Sequence, residues 1–120
     1  MTKINLKKAQ YQQLLALEAD QELSLLVPIS DDYERGQKVQ LTYGRGKHYK
    51  EVAEAVLHIK RVISYRGGLV YSDVVPLSMQ GTANVCYRLG LNIDEFLKTT
   101  TSKTHNYIVL ANIALVGEEV

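Results

Sequence analysis

The residues with the greatest chemical capacity in this sequence are Arg45, Lys47, His48, Tyr49 and Lys50, crowded between Gly44 and Glu51. Guanidinium and ammonium groups pair with phosphate oxygens, and a tyrosine ring offers a face on which a base stacks. Gly44 and Gly46 make the segment a mobile, locally basic loop. The plain alternative is a solvated hairpin loop. A second basic group, Lys60, Arg61 and Arg66 with Tyr65, adds to the patch if it lies nearby. Among the tyrosines, Tyr33 and Tyr43 are best placed for a cleft, because they flank a turn and the strand that follows it.

Other chemistries lack their residue patterns. Gly44-Arg-Gly46-Lys47 misses the full phosphate-loop spacing and the Ser or Thr after the lysine. His48, His58 and His105 are far apart, and Cys86 has no partner at a metal-ligand spacing, so neither a zinc site nor any cofactor is expected. Glu22, Glu51 and Glu54 could act as acids or bases, yet no diagnostic carboxylate pair occurs. Nothing pairs Cys86 or a serine with a histidine for nucleophilic catalysis. Cys86 reads as a small buried hydrophobe on a helical face.

Composition bounds the rest. The chain has 120 residues, 46% hydrophobic and 22% charged, which describes one ordinary globular domain over 1–120 with a single core. A net charge of +1 gives no global field, so binding to nucleic acid needs a local patch. One cysteine excludes an intrachain disulfide scaffold. Residues Met1 to Lys8 hold no apolar core of signal-peptide length, and no run approaches the roughly 20 apolar residues of a membrane span, so neither segment is expected. A cytoplasmic protein with no membrane partner is the expectation. The oligomeric state is not fixed by the sequence.

These residues need elements to position them. Residues 3–6 form a short strand or the lead-in to a helix, with Asn5 as a cap. Residues 7–18 are good helix formers with an apolar stripe of Tyr11, Leu14 and Leu15, and Leu17 beside it. Residues 22–29 favour a strand, and Pro28 marks its edge or end. Asp31, Asp32 and Gly36 form a tight turn, after which Val39, Leu41 and Tyr43 alternate with polar residues as in a half-buried strand. Residues 52–63 fit either a strand or a helix by period, and the β-branched content favours a long strand. Gly67-Gly68 can turn a hairpin. Residues 78–89 fit a helix whose apolar positions are Ala83, Val85, Cys86 and Leu89, with Gly90 as its stop. Asn92 and Glu95 make a capping box that opens a short helix to about Lys98. Residues 99–104 read as a polar loop, 107–116 as a strand buried on both faces, and 117–120 as a frayed tail. The sum is an α+β fold, a small curled β-sheet or β-barrel with two or three short helices.

This order, with its turn, resembles the ASCH branch of the PUA-like superfamily. Tyr11-Gln-Gln-Leu-Leu15 is similar to that family's helix motif, and Tyr33-Glu-Arg-Gly36-Gln-Lys-Val-Gln-Leu41 to its turn and barrel strand. Residues 54–62 resemble the next strand. Asn92-Ile-Asp-Glu-Phe-Leu97 and Tyr107-Ile-Val-Leu110 resemble the closing helix and strand. Gln21 stands where the family places a lysine, Leu26 near its arginine, and Gln37 at the aspartate after the turn glycine. Some members are amidohydrolases acting on acylated nucleosides, and they use that lysine; without it the activity is not carried over.

The resemblance in element order, together with the basic, aromatic loop, suggests a non-enzymatic domain that binds RNA or a nucleotide-like ligand in a cleft beside the barrel. Its candidate residues are Tyr33, Arg45, Lys47, His48, Tyr49 and Lys60. One alternative is a small amidohydrolase with Glu22 or Glu54 as the acid/base. Another is a phage-type protein-interaction module, which a large apolar surface would favour.

Overall fold

A computed structural model describes residues 2–30 and 32–116, without the side chain of Ser102. Asp31 of the expected turn and the expected tail at 117–120 lie outside the described residues. The elements follow the chain as β1 (Thr2–Leu6), α1 (Lys8–Ala16), β2 (Leu23–Pro28), β3 (Lys38–Tyr43), β4 (Lys50–Arg66), β5 (Leu69–Ser72), β6 (Val75–Pro76), α2 (Met79–Leu89), α3 (Ile93–Ser102) and β7 (His105–Leu115). The strands pair into one mixed sheet in the order β1-β3-β4-β5-β6, and β7 pairs with both β2 and β4. The fold is α+β, a mixed sheet whose described pairings close no ring, with three short helices.

The chain contacts divide into two units, one of residues 2–23, 32–59 and 109–116, the other of 24–30 and 60–108. In the first, β1 runs parallel to β3, from Thr2 opposite Val39 to Leu6 opposite Tyr43. A parallel pair cannot be joined by a tight turn, and here α1 and β2 lie between the two strands in the chain. β3 then runs antiparallel to the first half of β4, with a register shift between Leu41 and Thr42. The shift puts both residues in the interior, where the Thr42 hydroxyl donates to Asn5 Oδ1 at 2.9 Å. Ile4, Leu6, Leu14, Val39, Leu41, Ala53, Ala55 and Leu57 are buried in this unit.

The turn before β3 is closed by Gln37. Its side chain accepts from the Glu34 amide and donates to the Thr2 hydroxyl at 2.8 Å. Gly36, at φ +86°, donates to the Leu57 carbonyl at 2.7 Å, and Leu57 donates back to the Gln37 carbonyl at 2.9 Å. The turn is thereby bonded to the middle of β4.

In the second unit the end of β4 folds back on β5. Gly67 and Gly68 take φ +56° and +83°, the two positive angles of a type I′ hairpin turn. Ser78 caps α2 by accepting from the Gly81 amide at 3.0 Å, and Gly90 ends it at φ +70°. Asn92 and Glu95 form the reciprocal box of α3. Phe96 is wholly buried, with Leu25, Ile63 and Ile108 among the buried residues of the same unit.

Four expectations are corrected. Asn5 belongs to β1, and α1 is instead capped at Lys7, whose amide donates to Gln10 Oε1 at 2.8 Å. Leu15 faces solvent at 58% exposure, so Leu14 alone carries the buried side of this short helix. Residues 99–102 are helical rather than loop. The hydroxyls of Thr99, Thr100 and Thr101 donate back to the carbonyls of Glu95, Phe96 and Leu97, which accommodates threonine inside a helix. The two-sided burial of the last strand holds from His105 to Leu110, and exposure returns from Ala111 onward.

Two glycine substitutions should separate backbone conformation from packing. Gly67→Ala forces a Cβ into the left-handed region and should cost about 1 kcal/mol. Gly81→Ala, in the first turn of α2, meets only ordinary contacts at 3.4 Å or more, and should gain roughly 0.5 kcal/mol. Urea unfolding of the two variants should shift the midpoints in opposite directions.

Candidate functional site

Three chain segments meet at one end of the β1–β3–β4 ladder. β1 ends at Leu6 opposite Tyr43, and β4 begins at Lys50, also opposite Tyr43. Lys7 and Lys8, which follow β1, therefore emerge beside Gly44 and Arg45, which follow β3. Together with Asn5, Leu6, Tyr43, His48 and Lys50 they line a cavity of about 740 Å³. Lys7, Lys8, Arg45, Lys50 and His48 are five basic side chains, while no carboxylate is among the described residues lining the cavity.

The loop between β3 and β4 is folded back on itself. A 3-10 turn spans Gly46–His48, with the His48 amide donating to the Arg45 carbonyl at 3.0 Å and the Tyr49 amide to the Gly46 carbonyl at 3.2 Å. Gly44 makes this possible. Its φ is +94°, and a Cβ there would lie 2.3 Å from the His48 carbonyl oxygen. The first turn of α1 contains no acidic side chain, so its amides present their positive end without a local counter-charge.

An aromatic wall stands on one side. The rings of Tyr11 and Tyr43 stack at 4.2 Å between centroids and 17° between planes, and Lys50 Nζ lies 5.3 Å from the Tyr11 centroid. Stacking fixes both rings, and the ammonium over Tyr11 gains from its π face. Behind this wall, Tyr11, Leu15, Lys50 and Val52 line a smaller cavity of about 340 Å³, so Lys50 belongs to both cavities.

Of the residues singled out from sequence, Arg45, His48 and Lys50 of the basic loop and Tyr43 of the strand before it line the larger cavity. Lys47 and Tyr49 are exposed on the same loop and are not among its lining residues. Tyr33 is half-buried on the turn before β3, outside the lining. Burial raises its phenol above the ordinary value of 10.0, and the neighbouring Asp32 raises it further. Lys60 is half-buried on β4 in the second unit and does not line the cavity. Lys7, Lys8 and Asn5 were missed, because only the parallel register of β1 on β3 brings them to the loop.

The remaining candidates do not converge. Glu54 is exposed on β4 opposite Gln40. Glu22 borders a separate cavity of about 570 Å³ with Glu18 and Asp20. Cys86 is buried, and that burial raises its thiol above the usual range, as for an unreactive structural cysteine. No three His, Cys, Asp or Glu side chains are grouped to hold a metal among the described residues. No described helix is long and apolar enough to cross a membrane. No protein-family model, curated protein or solved structure matches the chain.

Two measurements test these environments. Gly44→Ala places a Cβ against backbone that cannot turn aside, and should cost at least about 2 kcal/mol in urea unfolding. Its amide spectrum should shift from Arg45 to Tyr49 while the Gly67-Gly68 hairpin stays unchanged. For Tyr33, the folded chain holds a proton that the unfolded chain releases near pH 10.0. That contribution to stability is complete below pH 10 and is lost as pH rises through the higher folded-state value. Melting temperatures of wild type and Tyr33→Phe should diverge less on the neutral side of that window than across it, with wild type falling more steeply.

Proposed function

We propose that this chain is a non-enzymatic binding domain that takes RNA or a nucleotide-like ligand through its phosphates in the cleft of Lys7, Lys8, Arg45, His48 and Lys50. One observation carries the reading: three lysines, an arginine and a histidine from three segments share a cavity with no carboxylate among its described lining residues. Such a cavity attracts anions whatever the net charge of the chain, and +1 overall means that the excess is local. The α1 amides add donors of the kind that bind phosphate at helix N-termini. Tyr43 gives the lining an aromatic edge, but its stacking on Tyr11 leaves less free ring for a base. Phosphate contact thus accounts for more of the affinity than base stacking does. Lys47, Tyr49 and Tyr33 then serve as outlying contacts for a longer strand, and Lys60 has no role that the cleft requires.

The same proposal takes the chain as an ASCH-type member of the PUA-like superfamily. Its support is the turn and strand from Tyr33 to Leu41 and the capped helix at Asn92. Gln37 performs the turn-closing bonds at the position where that family carries aspartate.

Binding of a labelled oligouridylate and of uridine monophosphate, followed by fluorescence anisotropy and calorimetry, tests the reading. Four phosphate contacts on a single strand give a slope of log K against log salt of about −3, and each lost contact removes roughly 0.7. Lys7→Ala, Lys8→Ala, Arg45→Ala and Lys50→Ala should each flatten the slope, and Lys47→Ala should change it least. Tighter binding of the oligomer than of the monophosphate identifies RNA, and equal binding identifies a nucleotide-sized ligand. Absence of binding to either at about 50 mM salt would sink the proposal.

A further inference from the structure

The second unit carries a groove that the cationic cleft does not explain. It has a volume of about 650 Å³ and lies among the β4–β5 hairpin, α2 and α3. Leu77, Ala83, Leu91 and Leu97 line it, with Tyr65 from β4. Four further lining residues are large and open to solvent: Met79 at 91%, Tyr87 at 88%, Leu69 at 48% and Ile93 at 46%. Helix α2 explains why. Thr82, Cys86 and Leu89 form its buried stripe, and Met79, Ala83 and Tyr87, four residues apart in turn, form a second stripe beside it. Met79 and Tyr87 at the two ends of this second stripe are almost wholly exposed.

We infer that this groove is the interface of a two-fold homodimer, in which the Met79–Tyr87 stripe of one copy packs into the groove of the other. Area and charge both point to a second copy. The four exposed lining side chains, Met79, Tyr87, Leu69 and Ile93, present apolar area on the order of 400 Å². A standard interface takes about 800 Å² per partner, a little over half of it apolar. Exposed patches of this size mark contact surfaces. Arg88 follows Tyr87 in the chain and Asp94 follows Ile93, both exposed and of opposite sign. A patch flanked by both signs complements itself under a two-fold, whereas one flanked by a single sign repels its own copy.

Analytical ultracentrifugation of the full chain across the micromolar range tests this. Wild type should sediment as a monomer–dimer equilibrium. Met79→Asp and Tyr87→Asp should each weaken it at least about tenfold while keeping the native circular dichroism, since both side chains are almost wholly exposed. The charges supply a second test that leaves the groove intact. Arg88→Glu alone and Asp94→Lys alone should each lower the dimer fraction, and mixing the two should restore it as heterodimer. A wild-type chain that stays monomeric overturns the inference and leaves the groove to a different protein. A dimer unaffected by Met79→Asp and Tyr87→Asp overturns it too, as does failure to recover dimer on mixing.

Discussion

The parallel pairing of β1 with β3 is the constraint on which the candidate site rests. Leu6, Tyr43 and Lys50 share one rung of the ladder, so three chain directions change at the same end of the sheet. Side chains alternate faces along a strand, and a slip of one residue would send Ile4 and Leu6 to the opposite face. Both are buried to within 5% of complete, as are Val39 and Leu41 opposite the same strand. The hydrophobic pattern therefore holds the register, and the register decides that Lys7 and Lys8 arrive beside Arg45. The cleft is assembled by core packing, although none of its cations is in the core.

That origin explains how so much like charge is tolerated. Exposed ammonium groups repel weakly in water and are screened over about 8 Å at physiological salt. Each sits on a backbone already fixed by β1, β3 or β4, so the repulsion cannot spread the segments apart. Lys50 is further drawn toward the Tyr11 ring, which is held by its stack with Tyr43. Compensating acids lie elsewhere in the same unit, with Glu18, Asp20 and Glu22 gathered around another cavity. Near-neutral total charge thus conceals a separation of sign between two cavities, which a count of residues cannot show.

Features whose causes are local were legible in the sequence. The Gly67-Gly68 hairpin, the glycine stop at Gly90 and the Asn92–Glu95 box each depend on a few adjacent residues, and each was found where its residues stand. The long strand β4 was legible from β-branched content even where its period was ambiguous. Arg45 and His48 were visible as charge in a glycine-bearing loop. Lys7 and Lys8 were not, because a parallel register between strands separated by a helix and a third strand leaves no short-range signal. The helical threonines at 99–101 were misread for a related reason. Their propensity favours a loop, but back-bonding hydroxyls and the burial of Thr100 prevail. Leu15 fitted an apolar stripe by spacing alone, and α1 is too short to bury more than one side of its last turns.

β4 carries the consequences furthest. At its start Lys50 lines the cationic cleft, and near its end Tyr65 lines the apolar groove, so one strand contributes to the surface of each unit. Its register is fixed independently along its length. Lys50 pairs with Tyr43, Leu57 exchanges hydrogen bonds with the Gly36–Gln37 turn, and Arg66 pairs with Leu69 across the hairpin. Ala53, Ala55 and Leu57 are buried with the two-residue period of a strand, and Ile63 is buried in the second unit. A one-residue slip around Leu57 would turn Ala55 and Leu57 to the opposite face and break the backbone bonds that Leu57 exchanges with Gly36 and Gln37. The turn glycine and Gln37 thus do more than connect two strands. By holding Leu57 they fix the register of the first half of β4 against β3.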